Sequence, residues 1–461
     1  MAWVLLIGLG AAAARAQSSA LSTKVFTVQE AVDFALKNYP AVRAALERYN
    51  AARSGIGLAR ATYAPFISAV DQQARGTRNS VLGVLVPQFP SILTGTEGTV
   101  SPATSQPYSI SGMGILLSWE PFTFGYRNSI VRSAEATASR AAAQVDLTRL
   151  GVASAVAEAS LAVLADEQRE KASAADVKRR EVFNRSVHAL VDAHLRPGAD
   201  ASRADAELAV ARTQLIQTQE AEQVDKAAFA ELLGIAGTAI EIRPGPFLAS
   251  PPEQIWTEIP LLQHPAAIVE QRSIAEIQSR VNVLKRSYFP HVYLEELTSG
   301  RGSDELSTAK GAPGANGAGF LPSVFDWQAA VTVQWNLSNW FALRERRKIE
   351  LANERRERAL YDQTMQTING RVQQAMAALA GARRVAQNTP VELAAAQQSE
   401  AQALARFQAG VGTIVDVAEA QSLLVQAEID DSLARLSIWR ALAALAAGQG
   451  NMRPFLDLAG K

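Results

Sequence analysis

The feature that most constrains this chain is an internal duplication. Asn38-Tyr39-Pro40-Ala41-Val42 resembles Gln263-His264-Pro265-Ala266-Ala267, and Tyr63-Ala64-Pro65 resembles Tyr288-Phe289-Pro290. Both pairs lie 225 residues apart. Ile115–Trp119 matches Val331–Trp335 at 216, as Phe124 matches Trp340. The same 216 relates Val152, Val156, Ala159 and Val163 to Ile368, Val372, Ala375 and Leu379. Gly198 aligns with Gly412 and Gly234 with Gly448 at 214. A fold built from one unit used twice is therefore the first expectation. The offset changes in two places, and length changes belong in loops. One change lies between the strand candidates of each copy. The other lies between Val163 and Gly198, which puts the tips of two helical hairpins near Leu164–Ala175 and Leu379–Pro390. The copies are expected to span residues 17–245 and 246–461.

Each copy opens on a helix. Pro40 and Pro265 suit a first helical turn, where the missing N–H costs nothing. Pro65 and Pro290 stop these helices. Strand, Gly/Ser/Pro-rich loop and strand follow, with strands expected near 64–76, 108–124, 289–299 and 327–341. Val331, Val333, Trp335 and Leu337 alternate with Thr332, Gln334, Asn336 and Ser338, the period of two of a sheet with one apolar and one polar face. Met113, Ile115, Leu117 and Trp119 repeat the pattern, broken at Leu116. A polar run behind a Trp-tipped apolar face suits a barrel wall, wet on one side and lipid-facing on the other. Trp119, Phe124, Trp335 and Trp340 sit at the strand ends, where a membrane interface selects amphipathic rings. Packing inside an ordinary sandwich core is the competing reading. Long Ala-rich helices with two apolar stripes complete each copy, suited to packing against two neighbours at once.

Composition then excludes several classes. Of 461 residues, 45 are basic and 45 acidic, without the basic excess of a nucleic-acid binder. There are no cysteines, so no disulfide framework, thiolate metal site, thiol nucleophile or Cys-linked lipid anchor is expected. His188, His194, His264 and His291 are too scattered for a metal centre, and no cofactor is expected. Nucleophile-elbow, zinc-helix, Walker and dinucleotide glycine motifs are absent from suitable contexts, which argues against an enzyme. Residues 1–16 read as a secretory signal peptide: an apolar run followed by Ala14-Arg15-Ala16. No later run of about 18 uninterrupted apolar residues occurs to form a transmembrane helix.

Four strands cannot close a barrel that holds water, and open strand edges are not tolerated in lipid. If these strands lie in a membrane, several copies must share one barrel. Three copies give twelve strands, above a tube of helices. A soluble periplasmic coiled-coil adaptor or scaffold is the alternative, though it would not need aromatic-tipped alternating strands.

Several pieces carry a resemblance to a known family. They are Ala35, Leu36, Asn38 and Pro40; the Tyr-x-Pro pairs Tyr63/Pro65 and Tyr288/Pro290; and Arg406-Phe407, Gly410-Val411 and Thr413–Val417 followed by Ala420-Gln421. The first-copy counterpart of this last stretch is Gly198 to Ala206, and Leu232-Leu233-Gly234 closes the first copy. The ordered set resembles the TolC outer-membrane efflux protein family from about Thr27 to Gly450. The resemblance implies a mainly α fold with a β-barrel portion: a homotrimer with a 12-stranded outer-membrane barrel and long antiparallel hairpins forming a periplasmic α-barrel. It also implies a conduit that docks on a periplasmic adaptor and an inner-membrane pump, in efflux or type I secretion. Asp166, Glu167, Arg169, Glu170, Arg383 and Arg384 fall at the expected hairpin tips and are candidates for a gate. Gly198, Gly410 and Gly412 are expected in positive-φ turns at the equator, with Asp416 capping the helix that follows.

Overall fold

In the computed structural model, residues 23–77, 107–249, 260–303 and 320–460 are described. The expected signal peptide and most of the two Gly-rich loops lie outside them. The elements, in chain order, are β1 (Lys24–Phe26), α1 (Val28–Asn38), α2 (Pro40–Ala61), β2 (Phe66–Thr77), β3 (Pro107–Phe122), α3 (Tyr126–Asp192), α4 (Gly198–Leu232) and β4 (Ile240–Ile242). Then come α5 (Pro265–Arg286), β5 (His291–Ser303), β6 (Val324–Gln334), α6 (Asn339–Gln408), α7 (Ile414–Gly448) and α8 (Arg453–Ala459). The chain divides into two compact units, one made of Leu46–Gln144 and Ile268–Thr364, the other of Met1–Ala45, Val145–Ala267 and Met365–Lys461.

The first unit holds a four-stranded antiparallel sheet in the order β2-β3-β5-β6. The duplication is written into its hydrogen bonding. Phe66 pairs with Ser118 in the first hairpin. Moving these positions by 225 and 216 gives His291 and Gln334, which pair in the second. Both hairpins thus share one register. Residues paired across antiparallel strands share a face, so the register assigns sides throughout. Ile67, Leu117, Glu296 and Ala329 lie in one row, Ala69, Ile115, Thr298 and Trp327 in the next. The opposite side carries Ser118 with Glu295, and Asp326 with Ser299. Leu116, the break in the sequence pattern, pairs directly with Leu297, and both are buried on that otherwise polar side.

The second unit is helical, closed by the short parallel pair β1–β4. Its densest packing surrounds Trp439, which is 1% exposed and meets Phe247 edge-on at 4.9 Å and Phe455 at 6.3 Å. Two capping boxes start its helices. Thr27 and Glu30 exchange side-chain and backbone hydrogen bonds before α1, and Thr413 and Asp416 do so before α7. Asp416 is therefore the third residue of the helix and Thr413 the N-cap.

The hairpin turns are not where the sequence offsets put them. α3 and α6 continue through Leu164–Ala175 and Leu379–Pro390, and the chain turns instead at 193–197 and 409–413. Pro390 lies inside α6. A proline there costs a helical hydrogen bond, but tertiary packing overrides local propensity. Thr389, beside it, is buried and donates to the Asp431 carboxylate of α7 at 3.2 Å.

The 214 offset also falls. Matching glycines by identity aligned Gly198 with Gly412 and Gly234 with Gly448. Conformation instead aligns His194 with Gly410 and Gly234 with Gly450. All four have positive φ, at 63°, 79°, 74° and 81°, and both pairs keep the 216 offset. Leu195 N–H donates to Leu190 O and Val411 N–H to Arg406 O, the same helix-ending pattern in each copy. The stretch read as equatorial is therefore a pair of hairpin turns. Gly198 opens α4 without positive φ and has open space around it. Gly412 is needed for close approach, since a Cβ there would stand 2.8 Å from Phe407 N.

Candidate functional site: sheet faces and hairpin turns

The sheet inverts the usual logic of a soluble protein. Along β3 the polar and small residues Ser111, Gly114, Ser118 and Glu120 are buried, while Met113, Ile115 and Trp119 are exposed. On β6 Trp327 is 77% exposed and Val331 67%. This exposed face is largely apolar, interrupted by Asp71 and Glu296, and an exposed apolar surface of this size marks an interaction surface. The buried polar side is organised by hydrogen bonds. Arg127 forms an ion pair with Glu120 at 3.0 Å, and His291 Nδ1 meets the other Glu120 oxygen. Thr332 donates to Glu295 at 2.7 Å, and on the same side the exposed Arg301 and Asp326 pair at 2.7 Å.

The four interface aromatics gather where strands meet helices, and the two copies build the same contact. Trp119 Nε1–H donates to Tyr63 O at 3.1 Å, and Trp335 Nε1–H donates to Tyr288 O at 3.1 Å. Trp340 lies 6.0 Å from the Trp335 ring, and Phe124 stacks on Phe289 at 5.8 Å. Each indole thus satisfies its one donor while its ring stays exposed.

In the helical unit the two hairpin turns are joined by Arg196. Its guanidinium donates to Phe407 O at 3.0 Å and Gly412 O at 3.2 Å, and lies 4.4 Å over the Phe407 ring. Arg196 occupies the position that Gly412 holds in the other copy, so one turn clamps a carbonyl at the end of α6 and one in the turn that follows it. Beneath it, Phe183, Val187, Ala204, Phe407, Ile414 and Val417 form an apolar cluster. Leu195 and Val411, also equivalent, are 70% and 72% exposed.

A buried charge network lies further along α3. Arg180, 7% exposed, holds Asp176 at 2.8 Å, Glu207 of α4 at 3.0 Å and Ser422 of α7 at 3.0 Å. Arg179 grips Glu428 of α7 with two hydrogen bonds, at 3.0 and 2.8 Å. Sequence reasoning missed this network. Its signal was a break in the repeat: Arg179-Arg180 stand where the second copy has Ala395-Ala396, and Ala396 packs apolarly with Leu424 and Ala427.

The gate candidates sit within helices, away from the turns. Asp166, Glu167 and Glu170 face α4, with Lys226–Glu167 at 3.4 Å, Lys226–Glu222 at 2.6 Å and Gln219–Glu170 at 3.0 Å, while Arg169 pairs with Asp166 within α3 at 2.5 Å. Arg384 lines a groove between α6 and α7, and Arg383 lies beside it in α6. Burial pushes the Asp166 carboxyl above the usual carboxylate range, opposed by Arg169 and reinforced by Asp225. Burial raises Glu167 likewise, against Lys226 and with Glu222 and Glu241. A raised folded pKa contributes stability below the unfolded value and loses it as pH rises through the folded one. The α3–α4 contact is therefore expected to tighten as pH falls from neutral toward the ordinary carboxylate range. Hydrogen exchange of residues 219–226, corrected for its intrinsic pH dependence, should slow over that interval. Asp166→Asn with Glu167→Gln should remove the effect; an unchanged profile in that variant would count against it. Among the described residues, no cluster of three or more His, Asp or Glu could hold a metal ion.

This architecture recurs in known proteins. The family model described as outer membrane efflux protein matches residues 31–235 and 263–451. Protein CyaE of Bordetella pertussis is 28% identical over 449 residues, covering 93% of this chain and 85% of the relative. Among solved structures, CusC superposes with TM-score 0.75 at 14% identity, covering 92% of each chain. The outer membrane protein VceC of Vibrio cholerae gives 0.72 at 17%, covering 92% of this chain and 96% of its own. These structural likenesses bear on the fold.

Proposed function

This chain belongs to the outer membrane efflux protein family, and from that premise we propose that it works as a homotrimeric, passive conduit across the outer membrane. The family places it in the outer membrane, with a large periplasmic helical part, and makes it a channel rather than an enzyme. The observation that carries the trimer is the pair of sheet edges that no strand covers among the described residues. β2 and β6 end a four-stranded sheet whose exposed face is largely apolar. In lipid each unpaired backbone group costs several kcal/mol, so the edges must be covered. A neighbouring copy can do this, and three copies of four strands close a twelve-stranded barrel wide enough for water.

The helical hairpins form the periplasmic conduit, gated at their tip and loaded by an inner-membrane pump through a periplasmic adaptor, in efflux or type I secretion. The turns at 193–197 and 409–413 are the gate and docking ends in this reading. Support comes from Leu195 and Val411, which offer exposed aliphatic side chains at equivalent positions of both turns, where a helix-ending motif would usually tuck them in.

Planar-bilayer recording tests the conduit. Detergent-extracted protein should insert as discrete conducting steps. Recovery in the aqueous fraction as a monomer without conductance would favour a soluble scaffold instead.

A further inference from the structure

The strand-to-helix junction of the second copy carries a groove in which aromatic rings stand beside three cations of one helix face. Its volume is ≈ 690 Å³, and it is lined by Tyr288, Trp340 and Phe341 together with Arg344, Arg347 and Lys348. Arg344, Arg347 and Lys348 lie three and four residues apart, on one face of α6. Lys348 is paired with Glu345 at 2.7 Å. Arg344 and Arg347 have no carboxylate within 4.0 Å among the described residues. Phe341 is 80% exposed.

The internal repeat supplies a control. At the 216 offset, Arg344 corresponds to Asn128, Arg347 to Val131 and Lys348 to Arg132. Two of the three cations, and Phe341 against Gly125, belong to the second copy alone. The shared architecture of the junction therefore does not require them.

The groove is continuous with the apolar sheet face. Trp335 stands on that face, in line with Val331 and Val333, and donates to Tyr288 O. Trp340 lies against both Trp335 and Tyr288, at 6.0 and 6.2 Å. Cations just beyond an aromatic row at the end of a lipid-facing surface have the geometry for a negatively charged headgroup.

We propose that this groove binds an anionic phospholipid, its phosphate held by Arg344 and Arg347 and its acyl chains lying along Val331, Val333 and Trp335. Arginine suits the task because its planar fork binds phosphate oxygens two at a time. The proposal rests on the reading that this sheet face meets lipid. It adds one anchored lipid per chain at the rim.

The test is native mass spectrometry of the detergent-purified assembly, titrated separately with phosphatidylglycerol, phosphatidylcholine and inorganic phosphate. The protein should retain phosphatidylglycerol, up to one per chain, and release phosphatidylcholine. Excess inorganic phosphate should fail to displace the lipid. Arg344→Gln with Arg347→Gln should weaken retention by roughly thirtyfold, at about one cation's surface attraction each. Arg344→Lys with Arg347→Lys should keep most of it, and Arg132→Gln in the first copy should leave it unchanged. The same spectra report assembly, so a Gln variant that fails to assemble is replaced by Arg347→Gln alone. Equal retention of both lipids, or unchanged retention in the Gln variants, overturns the proposal while leaving the channel reading intact. Displacement by inorganic phosphate alone overturns it in favour of a free-anion site. A lipid-free, water-soluble monomer overturns both readings.

Discussion

Arg180→Ala is expected to loosen the helical unit at the point where three of its helices meet. Arg180 is the buried cation that holds Asp176, Glu207 and Ser422, and through them α3, α4 and α7. Its removal leaves Asp176, 8% exposed at its side chain, charged and without its closest partner. Breaking a buried pair from one side costs about 3–5 kcal/mol, because the remaining charge stays desolvated. Hydrogen exchange in residues 173–184 and 418–428 should accelerate by on the order of a hundredfold, the equivalent of about 3 kcal/mol. Replacing the whole network by Arg180→Met, Asp176→Asn and Glu207→Gln should recover most of the loss, since the cost lies in the orphaned charge. Equal destabilisation by the single and triple variants would show that the arginine acts by packing alone.

Arg196→Ala is expected to have the next largest effect. The substitution removes two charge-assisted hydrogen bonds, to Phe407 O at the end of α6 and to Gly412 O in the turn, and a cation–π contact with Phe407. Each such hydrogen bond contributes about 1.5 kcal/mol or more, and an exposed cation–π contact about 0.5–1. Residues 405–413 should exchange roughly thirtyfold faster, while the centre of α3 stays protected. Unaltered exchange at 405–413 would mean that the turns are held by the apolar cluster beneath them.

The strands and their sidedness were legible in the sequence because their information is local. Alternation with period two, a Tyr-x-Pro before each outgoing strand and a Trp near the end of each returning strand mark the strands and their faces, although the last strand, expected over 327–341, runs over Val324–Gln334 and gives way to α6 at Asn339. Even Leu116, which spoils the alternation, is answered by Leu297 directly across the ladder. The hairpin turns were misread because glycine identity was taken for glycine role. His194 holds the positive-φ position in one copy and Gly410 in the other, and Gly198 has no such duty. A non-glycine residue in that region costs about 1–2 kcal/mol, so residue type alone offered no reason to look for a turn at His194. Pro390 misled in the opposite direction, as a helix breaker retained inside a helix packed against α7. The Arg179–Arg180 network was hidden because charged helix positions usually face water. Only the spatial arrangement of α3, α4 and α7 shows these as buried.

The central claim is that free edges of separate copies pair into one barrel, and the internal repeat states how. Within the chain, Ile115 of β3 pairs with Thr298 of β5. The repeat carries Ile115 to Val331 of β6 and Thr298 to Gln73 of β2, and the in-chain register already places both of these on the apolar side. Across the seam between copies, Val331 should therefore oppose Gln73 of the neighbour, with Cβ atoms about 4.5–5.5 Å apart. The chain has no cysteine, so Val331→Cys with Gln73→Cys can be oxidised without background. Disulfide-linked dimers and trimers on a non-reducing gel, absent from either single variant and from Val331→Cys with Ala69→Cys, are the predicted result. A band that remains monomeric under oxidation, in protein that has reached the membrane, would contradict the shared barrel.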